Sequence, residues 1–382
     1  MKHYLWHRFI FRFLWITAGP LVRLVMGYSC SKQKGPDTPS LIISNHNTDL
    51  DPALVSLGFS RHIYYLSSEH TLRRGLPSRI LKFIFAPIAI NKTRTDISAV
   101  KEMIRRLHAG ANVCFFAEGD RSFYGTTAPI SLSTAKLAKM SGAPLITFRI
   151  TGGYFTEPRW SIRLRRGKMS GGVVGKYSVA ELKSMTDKQV LDAIERDIYE
   201  DAYERQKVGM VRYKGKNLAE HIETALFLCP VCKKIGTLRS EGNRFFCECG
   251  LNAVYTETGL LEGETLPFST ITEWGEWQTG NLAEVVGAAG DQAICIDEDQ
   301  QLFEVRAATE KTPVATGEMR IDRENFYCAG STFPLQQITR FAIVGRMTLL
   351  FATNDGATYE VRSAVPRSAV KYREIFRILQ EQ

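Results

Sequence analysis

The stretch SLIISNHNTDLDP, residues 40–52, joins a short apolar run to a polar turn. The run has the length and composition of a buried strand, and the turn carries His46, Asp49 and Asp51. A carboxylate beside a histidine can hold one imidazole tautomer and stabilise the charged ring, which makes the histidine a general base. Asn, Asp and Thr also form ordinary turns by bonding to nearby backbone, so a turn without chemistry is the alternative interpretation.

The first 220 residues continue to alternate between apolar runs, polar loops and helical patterns. A helix is predicted over ISAVKEMIRRLHAG, residues 97–110, where Asp96 can cap the N-terminus and Gly110 can end the helix. NVCFFAEGDRS (112–122) is a second apolar strand that runs into a polar loop. A further helix in TAKLAKMSG (134–142) and a strand in PLITFRI (144–150) follow it. This alternation predicts an α/β domain, in which chemistry gathers on the loops beyond the strand ends.

The two polar loops carry residues at a recognisable spacing. The first reads Asn45-His46-x4-Asp51, and the second reads FAEGDRS, from Phe116 to Ser122, about 70 residues later. In this order, each after an apolar strand, they resemble the N-H-x4-D and F-P-E-G-x-R-S blocks of the glycerolipid acyltransferase family, of the lysophosphatidic acid acyltransferase type. The resemblance covers roughly residues 1–215.

The resemblance implies a role for the residues of both blocks. His46 would be the general base and Asp51 the carboxylate that orients it. No serine or cysteine is obviously paired with His46, so the nucleophile would be the hydroxyl of the substrate. Arg121 would hold the acceptor's phosphate through its planar fork of donors. The other residues that would shape the acceptor site are Glu118, Gly119, which would permit close backbone approach, and Ser122.

Two features depart from the family's pattern. Ala117 replaces the usual proline, which we expect to change loop rigidity more than chemistry. The family's middle block, an arginine after a short apolar strand, corresponds to PIAINKTRTD, residues 87–96. Direct alignment places Lys92 at that arginine, and Arg94 lies two residues further on. Both are candidates to bind the acceptor's headgroup, with Arg94 placed first.

Charge is distributed unevenly along the chain. The net charge is +9, but residues 1–228 hold 34 Lys and Arg against 19 Asp and Glu, whereas residues 229–382 hold 15 against 21. A basic front half indicates an anionic partner, such as a membrane surface or a phosphorylated substrate. The acidic back half argues against a continuous nucleic-acid footprint. The strip RWSIRLRRGK (159–168) is interpreted as a solvated strand edge or, alternatively, as a contact for a membrane or an acidic carrier.

The first 30 residues carry four Lys and Arg, no acidic residue and many aromatic and aliphatic side chains. Arg12, Pro20 and Arg23 interrupt the apolar run, so it is not a clean span of about 20 residues. A signal peptide is disfavoured because Arg12 falls inside the would-be core and no A-x-A site follows. We expect an amphipathic anchor with its cations on anionic headgroups, and hence peripheral or monotopic membrane association at the cytoplasmic face. A core-packing helix is the alternative.

Four of the eight cysteines cluster within 21 residues. Cys229-x2-Cys232 and Cys247-x-Cys249 are separated by 14 residues, which suits a Zn²⁺ ion held by two turns, as in a zinc ribbon. Because all four ligands would be cysteines, the zinc would be structural, and no redox cofactor is expected. Disulfides are the alternative, but paired clustering favours a metal in a reducing compartment.

The last third of the chain has short strand-like runs followed by an amphipathic helix in SAVKYREIFRILQEQ (368–382). This order predicts a small β-rich barrel or sandwich capped by a C-terminal helix, as in pleckstrin-homology-like folds. The predicted organisation is membrane-interacting helices in 1–30, an α/β acyltransferase domain in 31–220, a zinc ribbon in 221–264 and the β-rich domain in 265–382.

Together these features predict an O-acyltransferase. The resemblance implies that it moves a fatty acyl group from acyl-CoA or acyl carrier protein to a lysophospholipid hydroxyl, with 1-acyl-glycerol-3-phosphate as the first acceptor. Another lysolipid or glycerol-3-phosphate is the alternative acceptor, because the ambiguous middle block handles the headgroup. A hypothesis of another class is a zinc-ribbon binding protein whose acyltransferase domain is inactive.

Overall fold

The computed structural model describes residues 2–30, 38–70, 72, 76–91, 96–307 and 310–381. The chain forms two units. The first runs to Gly215 and the second begins at Lys216, except that Asn91 and the short stretch Trp160–Ile162 group with the second.

The first unit is built on a seven-stranded mixed sheet in the order β1-β7-β6-β2-β5-β3-β4. The five strands from β6 to β4 are parallel to one another, whereas β7 is antiparallel to β6 and β1 pairs in parallel with β7. The strands are β1 (Tyr28–Cys30), β2 (Leu41–Ser44), β3 (Ile63–Ser68), β4 (Ile88–Ile90), β5 (Asn112–Phe116), β6 (Leu145–Thr151) and β7 (Met169–Tyr177).

Helices cover both faces of this sheet, which confirms the predicted α/β fold. Successive residues of β2 point to opposite faces, so Leu41 and Ile43 belong to one apolar core and Ile42 to the other. The first core includes residues of α4, α5 and α8, and the second includes residues of α1 and α2. The helices are α1 (Lys2–Met26), α2 (Asp51–Leu57), α3 (Leu76–Phe85), α4 (Ile97–His108), α5 (Leu132–Met140), α6 (Gly153–Thr156), α7 (Val179–Ser184), α8 (Asp187–Ile198) and α9 (Ala202–Gly209).

Helix α4 has the start that its sequence predicts. The Asp96 carboxylate accepts a hydrogen bond from the Ala99 backbone N–H at 3.1 Å, which satisfies one of the unpaired donors of the first turn. The helix ends at His108, and Gly110 adopts a positive φ of 89° just beyond it.

Strand register brings the two polar loops together. Ser44, the last residue of β2, pairs with Phe116, the last residue of β5, and with Phe148 of β6. Because these three strands are parallel, the loops that leave β2 and β5 emerge side by side at one edge of the sheet.

Helix α1 runs without interruption through Arg12, Pro20 and Arg23. Within it, Leu5–Met26 is long and apolar enough to cross a membrane by length and composition, and only 11% of its most apolar window is buried. Helix α3 adds a second exposed apolar surface. The exposed apolar side chains of the two helices, here called the α1–α3 face, are Leu5, Trp6, Phe9, Phe13, Ile16, Leu21, Leu24 and Val25 of α1 and Leu76, Ile80, Phe83 and Phe85 of α3.

The basic strip at 159–168 is predicted to be a solvated strand edge, and this holds only in part: Arg163, Arg166 and Lys168 are exposed, but the strip forms no named strand in the described part of the chain. Arg159 and Arg165 are only 2% and 3% exposed. Arg159 turns inward because its guanidinium lies 3.9 Å from the centre of the Phe123 ring and donates to the Arg121 carbonyl at 2.8 Å.

The second unit begins with the cysteine-rich segment, which forms a four-stranded antiparallel sheet in the order β11-β10-β9-β8. These strands are β8 (Leu238–Glu241), β9 (Arg244–Cys247), β10 (Asn252–Tyr255) and β11 (Leu261–Glu262). An 18-residue helix, α10 (Ile271–Ala288), packs against the segment, and its Trp274 indole donates to the Leu228 carbonyl at 2.9 Å.

A second seven-stranded antiparallel sheet follows α10, in the order β15-β14-β13-β12-β18-β17-β16. A four-strand meander and a three-strand meander are therefore joined where β12 pairs with β18. The predicted C-terminal helix is present as α11 (Ala369–Glu381) and buries Val370, Ile375 and Phe376. The strands are β12 (Cys295–Ala307), β13 (Glu310–Ile321), β14 (Asn325–Cys328), β15 (Ser331–Pro334), β16 (Ile338–Val344), β17 (Thr348–Thr353) and β18 (Thr358–Ser363).

Candidate active site and metal site

The loop between β2 and α2 places His46 against Asp51. Nδ1 of His46 lies 2.8 Å from Oδ2 of Asp51, whose side chain is fully buried. The same oxygen accepts the backbone N–H of Asn47 at 2.6 Å and of Thr48 at 2.9 Å, and the Thr48 hydroxyl donates to Oδ1 at 2.6 Å. These bonds hold the carboxylate in one orientation. With Nδ1 engaged, Nε2 is the nitrogen of His46 that can take a proton.

The imidazole of His46 stacks on the ring of Phe116, the last residue of β5. The ring centres are 4.3 Å apart and the planes differ by 18°. The His46 side chain keeps 21% of its surface exposed. An apolar wall thus supports one face of the ring while part of it stays open to an incoming group.

Glu118 ties the two loops together. Its carboxylate accepts the backbone N–H of His46 at 2.7 Å and of Ala128 at 2.8 Å. Burial raises the pKa of Glu118 to about 8, although both of these hydrogen bonds act in the opposite direction. Glu118 therefore positions the His46 backbone through a partly buried hydrogen bond.

Ser122 and Gly119 also shape the loop. The Ser122 N–H donates to the His46 carbonyl at 3.3 Å, and the Ser122 hydroxyl accepts the Gly125 N–H at 2.9 Å. Gly119 has a φ of +71°, and a Cβ there would meet no described heavy atom within 4 Å. Left-handed backbone, and not close packing against the protein, is the local reason for glycine at this position.

Arg121 is 8% exposed and already paired with carboxylates. Its Nη1 lies 2.9 Å from Oε1 of Glu157 and 3.5 Å from Oδ1 of Asp49. Oε2 of Glu157 accepts the Asp49 backbone N–H at 3.1 Å. Burial raises the pKa of Glu157, whereas the positive charge of Arg121 lowers it. Asp49 is therefore a neighbour of Arg121, and Asp51 is the neighbour of His46.

A second buried carboxylate, Glu200, supports the loop from behind. It accepts from the Asn47 side chain at 2.9 Å, from the Gly152 N–H at 2.9 Å and from Arg205 at 2.6 Å. Asn45 spans to β6, with its amide bonded to both the N–H and the carbonyl of Ile150. Burial raises the pKa of Glu200, and the charge of Arg205 opposes this effect.

Sequence reasoning did not identify Glu157, Glu200 or the role of Asn47. The two glutamates lie in no recognisable motif, and only the fold brings them to the loop. The hydrogen bonds from Thr48 to Asp51 could have been predicted from the local sequence, because Thr and Asp three residues apart commonly bond to each other in turns. The middle-block candidates Lys92 and Arg94 lie outside the described residues.

The four clustered cysteines converge in the second unit. The sulfur atoms of Cys229, Cys232, Cys247 and Cys249 all lie within 4.8 Å of one another, with 3.6 Å between Cys229 and Cys249 and 3.8 Å between Cys232 and Cys247. A tetrahedral Zn²⁺ with Zn–S bonds of about 2.3 Å needs sulfurs about 3.8 Å apart. The four cysteines are free thiols, and Gly250, which follows Cys249, has a φ of +99° at the second turn. This donor set fits zinc.

A comparison with protein families matches the part of the chain that holds the two polar loops. A family model described as Acyltransferase matches residues 29–151, which contain both polar loops. A comparison with curated proteins found no match. Among solved structures, the chain is similar to the 1-acyl-sn-glycerophosphate (LPA) acyltransferase PlsC from Thermotoga maritima, with 20% identity and a TM-score of 0.42 over 54% of this chain and 81% of that one. The family match identifies an acyltransferase domain within the first unit.

Proposed function

We propose that the protein is an O-acyltransferase that transfers a fatty acyl group from acyl-CoA or acyl carrier protein to the hydroxyl of a lysophospholipid. The acceptor that the motifs imply is 1-acyl-glycerol-3-phosphate. The observation that carries the proposal is the 2.8 Å contact between His46 and the buried carboxylate of Asp51, inside the region that the acyltransferase model matches.

The proposed reaction needs one base and no protein nucleophile. Nε2 of His46 takes the proton of the acceptor hydroxyl as its oxygen attacks the thioester carbonyl. The C–O bond forms, the C–S bond breaks, and the thiolate leaves with the proton that His46 returns. Asp51 stabilises the imidazolium between these steps. Arg121 would hold the acceptor's phosphate, and Arg94 and Lys92 remain candidates for the same group.

Membrane association at the cytoplasmic face is part of the proposal. The α1–α3 face exposes twelve large apolar side chains, and a groove of about 510 Å³ between the two helices is lined by apolar side chains and Arg79. Arg8 and Arg12 are exposed on α1, where they can contact anionic headgroups. A lysophospholipid acceptor resides in the bilayer, so this face would bring the enzyme to its substrate. We favour peripheral or monotopic binding.

For the second unit we propose a structural role for the metal and a pleckstrin-homology-like fold for the C-terminal sheet. Zn²⁺ bound by the four cysteines would cross-link two turns of a zinc ribbon whose sheet consists of four short strands. The meanders of four and three strands, joined at β12 and β18 and followed by α11, have the strand order of pleckstrin-homology-like folds. No redox cofactor is proposed.

Thiol release tests the catalytic proposal. Purified full-length protein is mixed with long-chain acyl-CoA, or acyl carrier protein loaded with the same chain, and lysophosphatidic acid in detergent micelles. We expect free thiol and diacylated product from the wild type, and loss of both in H46A. Other lysophospholipids and glycerol-3-phosphate serve as the acceptor panel. If the wild type, shown to be folded, transfers acyl groups to no acceptor, the enzyme proposal fails and the binding-protein hypothesis replaces it.

A further inference from the structure

The cluster around Arg121 contains one guanidinium and two carboxylates. Glu157, whose side chain is 14% exposed, makes the closer contact, and Asp49, which is 78% exposed, makes the longer one. Asp49 and Glu157 are also linked to each other, because the backbone N–H of Asp49 donates a hydrogen bond to the Glu157 carboxylate. When both are ionised, the three side chains carry a net charge of −1, so the anion position of Arg121 is already occupied by the protein itself.

Glu157 is the member of this cluster that a headgroup must compete with. It approaches Nη1 at a hydrogen-bonding distance, and an Arg–carboxylate bond in a site this buried is screened weakly by solvent. The neighbouring ion pair of Asp120 and Arg159 differs in its charge. Its carboxylate lies 3.3 Å from the buried guanidinium of Arg159, so the one negative and the one positive charge balance. Of these two groups, the Arg121 cluster is the one in which the proposed phosphate-binding side chain is accompanied by excess negative charge.

We propose that Glu157, with Asp49, determines which headgroup charge Arg121 accepts. Glu157 acts as an internal counter-ion that weakens binding of a dianionic phosphate monoester relative to a zwitterionic phosphodiester headgroup, whose ammonium group can face the exposed carboxylate of Asp49. This inference rests on the proposed role of Arg121 as the phosphate-binding residue. It makes acceptor selectivity depend on a residue outside both motif blocks, and it favours the alternative lysophospholipid acceptor over 1-acyl-glycerol-3-phosphate, the acceptor that the motifs imply.

Soluble headgroups isolate this effect from membrane binding and from chemistry. The probes are sn-glycerol 3-phosphate, which is a dianion at pH 8, and sn-glycero-3-phosphoethanolamine, which is a zwitterion. Their affinities are measured by titration calorimetry with the full-length wild type, E157Q, D49N and R121A. D120N is the matched control, because it removes a carboxylate next to Arg121 in sequence that pairs with Arg159 instead.

We expect R121A to lose both probes. E157Q should raise the ratio of dianion affinity to zwitterion affinity about fivefold or more, since one negative charge has been removed beside the phosphate. D49N should weaken the zwitterion selectively, and D120N should keep the wild-type ratio. Thermal unfolding of each variant shows that it is folded.

The inference is overturned if E157Q changes both affinities equally, if its ratio stays within twofold of the wild type, or if R121A binds both probes normally. It is also overturned if neither wild type nor E157Q binds either probe, because neutralising Glu157 should create affinity for the dianion. These outcomes are independent of thiol release. An inactive protein with the expected binding ratios contradicts the proposed function alone.

Discussion

Asp51 Oδ2 lies 2.8 Å from Nδ1 of His46, and it is held there by the N–H groups of Asn47 and Thr48. Asp49, two residues earlier, faces Arg121 at 3.5 Å. The two aspartates of one loop therefore serve different partners, and their substitution should have different effects.

We expect D51N to lower kcat for acyl transfer by about 10³-fold, because a neutral amide cannot stabilise the imidazolium. The amide NH2 group would also face hydrogen-bond donors of Asn47 and Thr48, which the carboxylate accepts. D49A should change kcat less than about 10-fold. Steady-state thiol release measures both, and circular dichroism verifies folding. A larger loss of kcat in D49A than in D51N would mean that the wrong carboxylate has been assigned to His46.

Glu118 should make stability depend on pH. Burial raises its pKa to about 8 from an ordinary value of 4.5, so between these values the folded chain keeps a proton that the unfolded chain has lost. Its stabilising contribution is fully present below pH 4.5 and is lost as the pH rises through 8, a change on the order of 5 kcal/mol. E118Q cannot titrate, and its melting temperature should fall less than that of the wild type between pH 5 and pH 8.5. Parallel curves for the two proteins would contradict the burial effect.

Glu200 should act on catalysis through Asn47. Its carboxylate holds the Asn47 side chain, and the Asn47 backbone N–H donates to Asp51. We expect E200Q to destabilise the fold by about 2–4 kcal/mol, because Asn47, Gly152 and Arg205 lose acceptor capacity in a buried site. It should also lower kcat about 10-fold.

Urea unfolding and kcat per folded molecule separate the two effects of Glu200. The control is E204Q, which removes an exposed carboxylate paired with Lys207 and should change neither quantity. If E200Q is destabilised but each folded molecule keeps full kcat, Glu200 supports only the fold.

Features that depend on neighbours in sequence were predictable. The Asp96 cap involves a residue three positions away, and the His46–Asp51 contact spans five. The contact between Asn47 and Glu200 spans 153 residues, and only the sheet topology brings them together. Arg159 was predicted to be solvated, because a cation's burial depends on tertiary partners such as Phe123 that a local pattern does not show.

Helix α10 shows how local composition can hide a helix. It contains three glycines, which disfavour helix in isolation, so its sequence did not indicate one. Its stability comes from buried contacts, including Gln278, which bonds to the backbone of Ala225 and Phe227. One local signal was present, since Thr270 and Glu273 form a capping box at the helix start.

The cysteine site should hold one zinc ion per chain. We expect metal analysis of protein purified without added metal to find zinc near one equivalent, and C232S to lose most of it together with thermal stability. C328S is the control, because Cys328 is buried in β14 of the C-terminal sheet and is not one of the four clustered cysteines. Zinc retained in C232S at the wild-type level, or absent from the wild type, would contradict the assignment.

The α1–α3 face should bind anionic membranes through individual apolar side chains. Phe9 and Phe83 are 65% and 66% exposed, and burying a phenylalanine side chain in the acyl region is worth about 1.5–3 kcal/mol. We therefore expect F9S and F83S each to weaken co-sedimentation with phosphatidylglycerol vesicles about 10-fold or more. V208S is the control, because Val208 is 91% exposed on α9 and lies outside this face. Equal binding by all four proteins, with resistance to alkaline extraction, would instead mean that α1 spans the bilayer.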